Sequence, residues 1–144
     1  MPTYRHTQIG YVTIAALAVA CLLVAYRIFN AGPAPHLVVA LLILLACLVT
    51  FATMTIEIKD GVLSCWFGLG LIRKDVPLAH IIRGSLVRVP WYHGWGIHLK
   101  ASGWLYNVSG FKAVEFQTSD SHAFQLGSDE PEVLLAAVMT SRMN

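Results

Sequence analysis

The side chains able to do chemistry crowd into one glycine-punctuated stretch, "PWYHGWGIHLKASGWLYNVSG", from Pro90 to Gly110. Trp91, Tyr92, His93 and Trp95 open it, and His98 and Trp104 follow. Metal ligation by the histidines fails on ligand count. His93 and His98 have no third ligand at a recognisable spacing, and His6, His36, His80 and His122 are scattered along the chain. Zinc needs three or four convergent ligands held by ordered partners. Nucleophilic catalysis lacks its context: no serine sits in a G-x-S-x-G elbow, and the acidic residues gather at expected turns and at a helix start. "GLGL" at Gly68 to Leu71 lacks the third glycine and the following helix of a dinucleotide loop. "NVS" at Asn107 matches a glycosylation acceptor, but in a strand expected on the cytoplasmic side. No catalytic residue, metal site or cofactor is expected. What remains is recognition by aromatic rings, which dominate interaction hot spots, set against rings that cover the core or sit at a membrane interface. Trp91, Tyr92, His93 and Trp95 form the candidate binding loop.

The elements that carry this loop begin with two apolar runs. The chain has 144 residues, 56% hydrophobic and 12% charged, and its mean hydropathy is +0.62. Soluble domains carry about 25% charged residues, so part of this chain belongs in lipid. Ile9 to Tyr26 has about 18 residues without a charge, near the length that crosses the hydrocarbon core. Leu37 to Met54 is a second run of about that length. Gly32, Pro33 and Pro35 break the chain between them. Two transmembrane helices, at about 9–29 and 36–54, are expected within an N-terminal part of residues 1–54. The first run is span-length, which favours a helical hairpin over a cleaved leader.

Arg5 precedes the spans, and Lys59, Arg73 and Lys74 follow them. The connecting turn has no lysine or arginine, although Arg27 at its edge argues the other way. This places both termini in the cytoplasm, in a multi-pass protein. Ala16 and Ala20 make a small-xxx-small pair where a neighbouring helix can approach. The net charge of +2, with no lysine–arginine run, excludes a nucleic-acid footprint. Cys21, Cys47 and Cys65 have neither disulfide-framework nor metal spacing.

From residue 55 to residue 144 the pattern turns to alternation. Asp60-Gly61 is a two-residue hairpin turn that sets Ile58 opposite Leu63 and Ile56 opposite Cys65. Cys65 then faces inward as a small hydrophobe. Strands are expected at Leu71 to Val76 and Ile81 to Val89. A turn at Ser102-Gly103 would pair Ala101 with Trp104, Leu99 with Tyr106 and Ile97 with Val108 on one apolar face, with His98, Lys100, Asn107 and Leu105 opposite. A last hairpin through Ser119, Asp120 and Ser121 would pair Phe116 with Phe124 and Val114 with Leu126. A helix at about 129–142 follows, capped by Ser128 or Asp129, with Pro131 in its first turn and Leu134, Ala137, Val138 and Ser141 on one face. Seven to eight short antiparallel strands and one terminal helix make a mainly-β barrel or sandwich.

Two membrane helices followed by this pattern resemble the bacterial pleckstrin-homology-like (PH-like) membrane proteins. The resemblance is carried by the Thr55 to Phe67 hairpin, "VPLAHI" at Val76 to Ile81, "PWYHGWGI", "GWLYNVSG" and the "GSDEPE" helix start. Ser121 stands where related sequences more usually carry glycine. The resemblance implies a seven-stranded PH-type barrel closed by the C-terminal helix, held at the bacterial inner membrane. It also implies a non-enzymatic binding or assembly module that engages membrane lipid, a membrane-protein partner or a second copy. Headgroup contact would fall to Arg73, Lys74, Arg83 and Arg88. Two other expectations stand beside it: a lipid-handling or lipid-modifying enzyme subunit using the aromatic-histidine loop, and an accessory subunit packing its helices, with Ala16 and Ala20, in a larger membrane complex.

Overall fold

The computed structural model describes residues 3–93, 96–101, 103–108 and 110–144. The chain starts with strand β1 (Tyr4–Ile9), passes through helices α1 (Tyr11–Ala31) and α2 (Pro35–Phe51), and returns as β2 (Thr53–Lys59). β3 (Val62–Phe67), β4 (Ile72–Pro77) and β5 (Ile81–Arg88) follow, then a hairpin of β6 (Gly96–Lys100) and β7 (Gly103–Asn107). β8 (Lys112–Thr118), β9 (Ala123–Gly127) and helix α3 (Pro131–Met143) complete it.

Two sheets result, one in the order β1-β2-β3-β4 and one in the order β5-β8-β9-β7-β6. Alternation sets the first register. Asp60 and Gly61, both at positive φ (49° and 75°), turn the chain so that Ile58 meets Leu63 and Ile56 meets Cys65, as the sequence predicts. All four are buried. The last hairpin also falls in its predicted register, Phe116 with Phe124 and Val114 with Leu126. Ser121 takes φ 65° at its tip, the left-handed conformation that glycine holds at less cost. Met54, Ile56, Leu63 and Phe67 of the first sheet join Val114, Phe116, Phe124 and Leu126 of the second and Leu134 and Val138 of α3 in one core. Each such side chain contributes about 1.5–3 kcal/mol by leaving water. Gly84 lets α3 lie against β5, since a Cβ there would press on Leu135, Met139 and Phe116.

Several expectations need correction. The segment before the first helix is no tail: Tyr4 to Ile9 pairs with Ile58 to Thr53 as an edge strand, so Ile9 belongs to the sheet and the helix starts at Tyr11. The second apolar run does not continue to Met54 as helix. α2 ends at Phe51, and Met54 is a fully buried residue of β2, because an apolar run reads alike in a helix and in a buried strand. α1 has 21 residues and is the one helix among the described residues long and apolar enough to cross a membrane; α2, with 17, is apolar but shorter. The strands number nine among the described residues, and they are not all antiparallel, because β7 runs parallel to β9.

The β6–β7 register is shifted as well. Leu99 pairs with Trp104 and Ile97 with Tyr106, and Lys100 pairs with Gly103, so Gly103 belongs to β7 and not to the turn (Ser102 lies outside the described residues). Gly103 is at φ 126°, and a Cβ on it would overlap the Ala123 carbonyl oxygen. Glycine stands there so that β7 can close on β9. The net slip is even, so each side chain keeps its predicted face. Burial differs from expectation: Val108 is buried, but Leu99 and Trp104 are exposed. Finally, α3 starts at Pro131 with Glu130 in the capping position, and neither Ser128 nor Asp129 caps it. The Ser128 hydroxyl instead accepts from the Glu130 N–H at 3.1 Å.

Candidate functional site

The helical pair is rooted in the end of the domain that carries the aromatic loop. At the root, the Gly10 N–H donates to the Ala52 carbonyl at 2.8 Å, joining the start of α1 to the end of α2. The Thr13 hydroxyl donates to the Val108 carbonyl at 3.3 Å. Gly10 lies so close that a Cβ would stand 2.9 Å from that same oxygen. The turn between β3 and β4 seats Gly68, at φ 50°, against the backbone of Val49 and Thr50. Phe51 and Phe67 meet edge to face at 5.4 Å.

Three connections surround this root, and each ends in exposed apolar side chains. The β3–β4 turn presents Leu69 and Leu71, 82% and 80% exposed. A one-turn helix at Trp91–His93 presents Trp91 and Tyr92, 77% and 69% exposed, with their rings edge to face at 5.9 Å. The β7–β8 connection presents Phe111, also exposed. The Trp91–His93 turn is held at this end on both sides. Val89 donates its N–H to the Phe111 carbonyl at 2.7 Å, and Gly96 lines a groove shared with Val12, Thr13 and Ala16 of α1. Arg88 and Lys112, paired across β5 and β8, add cationic charge here. Trp95 and the side chain of His93 lie outside the described residues.

The helices themselves have almost no protein around them. In the most apolar window of α1 only 6% of residues are buried, and α2 has no buried residue. Leu22, Leu23, Phe29, Leu42 and Ile43 are all exposed. Ala16 is exposed and borders the groove, while Ala20 is half-buried and does not line it.

The other sequence candidates do not converge. Arg73 donates to both carboxylate oxygens of Asp75 at 2.9 and 3.0 Å and stacks over Trp66 at 5.1 Å. Ser64 and Arg73 together hold the Asp75 carboxyl below the usual carboxylate range. Arg83 is exposed on β5. Lys74 instead borders a cleft of about 600 Å³ at the far end of the domain, between β4 and the β6–β7 hairpin. His80, Leu99, Lys100, Trp104 and His122 share that cleft. Lys100 donates to Gln125 at 3.1 Å, and Asp120 is held below the usual carboxylate range by the Thr118 hydroxyl. Among the described residues no three His, Cys, Asp or Glu side chains gather as a metal site. Burial pushes the Cys65 thiol up to about 12, which leaves it inert as a nucleophile.

Two features escaped the sequence. Leu69 read as turn filler within "GLGL" and Leu71 as the first residue of a strand that in fact begins at Ile72, and the only available signal was two large aliphatic residues beside turn glycines. The far cleft, walled by Leu99 and Trp104, depends on where β6–β7 joins the second sheet, which no local pattern encodes. Comparison with models of known protein families, with curated proteins and with solved structures finds no match to this chain.

Proposed function

We propose that this protein is a non-enzymatic, membrane-anchored binding and assembly module. In this reading α1 and α2 cross the bilayer as a hairpin, and the β domain rests on the cytoplasmic face of a bacterial inner membrane. One observation carries the reading: the strands flanking the helical pair, β1 and β2, are hydrogen-bonded neighbours from end to end. If the chain leaves the membrane surface through α1, it must return through α2 for β2 to reach β1. Seventeen residues of α2 rise about 26 Å, short of a full core by an amount that local thinning accommodates. The bare apolar surface of both helices supports the same reading, because a core helix of a soluble domain would be covered. Cleavage beyond α1 would strip β1 from its sheet.

The fold reading is PH-like. Setting aside the helical pair and the β6–β7 hairpin leaves β1 to β4, β5, β8 and β9, seven strands in antiparallel pairings, followed by α3. That is the count and order of a seven-stranded PH-type barrel closed by a C-terminal helix, with two insertions. Leu69, Leu71, Trp91, Tyr92 and Phe111 then lie at the level of the bilayer surface, where Trp and Tyr partition well, beside Arg88 and Lys112, which favour anionic headgroups. This fixes the domain's orientation and leaves the far cleft facing the cytoplasm, open to a protein partner or a second copy.

Crosslinked co-purification from native membranes tests the assembly role. The intact chain is expected to retain a stoichiometric protein, and the double variant Lys74→Glu, Trp104→Ala to lose it with an unchanged thermal midpoint. Recovery of lipid alone would remove the partner from the account.

A further inference from the structure

We infer that the groove between the root of the helical pair and the start of β6 holds one acyl chain of a membrane phospholipid. This rests on the reading of α1 and α2 as membrane-crossing. The groove encloses about 470 Å³, and Ala16 of α1 and Cys47 of α2 leave the space that larger side chains would close. Leu17, Phe51, Ile97 and Val108 supply its apolar walls. Polar side chains are few: Thr13, Cys47 and the half-buried His98, which stands at the β6 side of the groove and already has an interaction of its own. The Thr13 hydroxyl is already bonded to the Val108 carbonyl, and a thiol is a weak partner. Ordered water needs two to four polar partners, whereas a hydrocarbon chain needs only close contact.

Position identifies the occupant. The groove starts at the first two turns of α1, and the same helices continue away from it as bare apolar surface, exposing Leu22 and Leu23 on α1 and Leu42 and Ile43 on α2. A chain can slide from the bilayer along this surface and under β6, where His98 is the one ionisable ring among the groove's described lining residues. It would seal the joint between membrane and domain against water. Leaving the groove empty would forfeit packing contacts along its whole wall.

The full chain in nanodiscs containing phosphatidylcholine with a photoactivatable diazirine on one acyl chain provides the test. Peptide mapping is expected to find the probe on the segment containing Ile97 as well as on the lipid-facing Leu22 and Leu23. Ala16→Phe, or Cys47→Leu from the opposite wall, is expected to cut labelling at Ile97 at least fivefold and to leave Leu22 and Leu23 labelled. Labelling at Leu22 and Leu23 with none at Ile97, or equal labelling of Ile97 in both filled variants, overturns the acyl-chain assignment while the spanning reading stands. Absence of probe at Leu22 and Leu23 overturns both.

Discussion

Gly61 and Gly103 both sit at positive φ, 75° and 126°, yet they do so for different reasons and fail differently when substituted. Gly61 has open space around it, so Gly61→Ala costs only the backbone strain, about 1 kcal/mol. Gly103 faces the Ala123 carbonyl, so Gly103→Ala must also push β7 off β9 and costs about 3 kcal/mol. Urea unfolding of the two variants checks the order; equal losses would mean that the β7–β9 closure is not tight. Gly61 was legible because its aspartate neighbour and the flanking alternation name the turn. Gly103 read as a turn residue because Ala123, the group it must clear, is remote in the sequence. Cys65 gives a pH prediction at the same scale. Burial raises its thiol from 9.0 to about 12, so the native state keeps a proton that the unfolded chain loses. Stability is complete below pH 9 and falls as pH rises toward 12, and Cys65→Ala flattens the first part of that fall. Tyr106, also raised by burial from 10.0, steepens it above that pH. A Cys65→Ala variant with an unchanged slope between about pH 9 and 10 would contradict the assignment.

Among the elements, β1 matters most and was least legible. "YRHTQI" alternates, but it is polar, and its partner β2 is separated from it by the whole helical pair. Its worth comes from contacts no local pattern shows. The Tyr4 hydroxyl donates to Glu130 at 2.7 Å, His6 meets Asp129 at 2.7 Å, and the buried Gln8 amide donates to the Gly127 carbonyl at 2.6 Å. The acidic residues that read as a helix cap thus tie β1 to the start of α3. Burial and the Glu130 carboxylate raise the Tyr4 hydroxyl above its ordinary range, which keeps it a donor. Tyr4→Phe is expected to destabilise by about 1 kcal/mol, and Glu130→Gln, whose amide oxygen still accepts from the Tyr4 hydroxyl, to cost less; thermal melts of both check this. The Asp60-Gly61 hairpin and the β8–β9 hairpin were legible because a short turn and a two-residue period determine each. The parallel β7–β9 pairing was not, since a hairpin's sequence does not state which edge it will join.

For the whole molecule, the candidate loop was legible in its residue types and not in its setting. Trp91 and Tyr92 were visible as a cluster. That Leu69, Leu71 and Phe111 surround the same helical root follows only from the fold. If this end rests on the bilayer, brominated lipid quenches Trp91, and Trp91→Phe removes a larger share of the quenching than Trp66→Phe, whose ring lies between Arg5 and Arg73 on the sheet face. Equal losses would place the loop away from lipid. The central claim is that a chain entering the membrane through α1 returns through α2, so that one β domain is built from strands on both sides of the excursion. Cysteine-directed labelling of sealed membrane vesicles tests it most directly, with single cysteines at Thr3, Ala34 and Met143 in a background lacking the native three. Thr3→Cys and Met143→Cys are expected to react from the cytoplasmic face alone, and Ala34→Cys from the opposite face alone. Reaction of Thr3→Cys and Met143→Cys from opposite faces, or of all three from one face, would contradict the account.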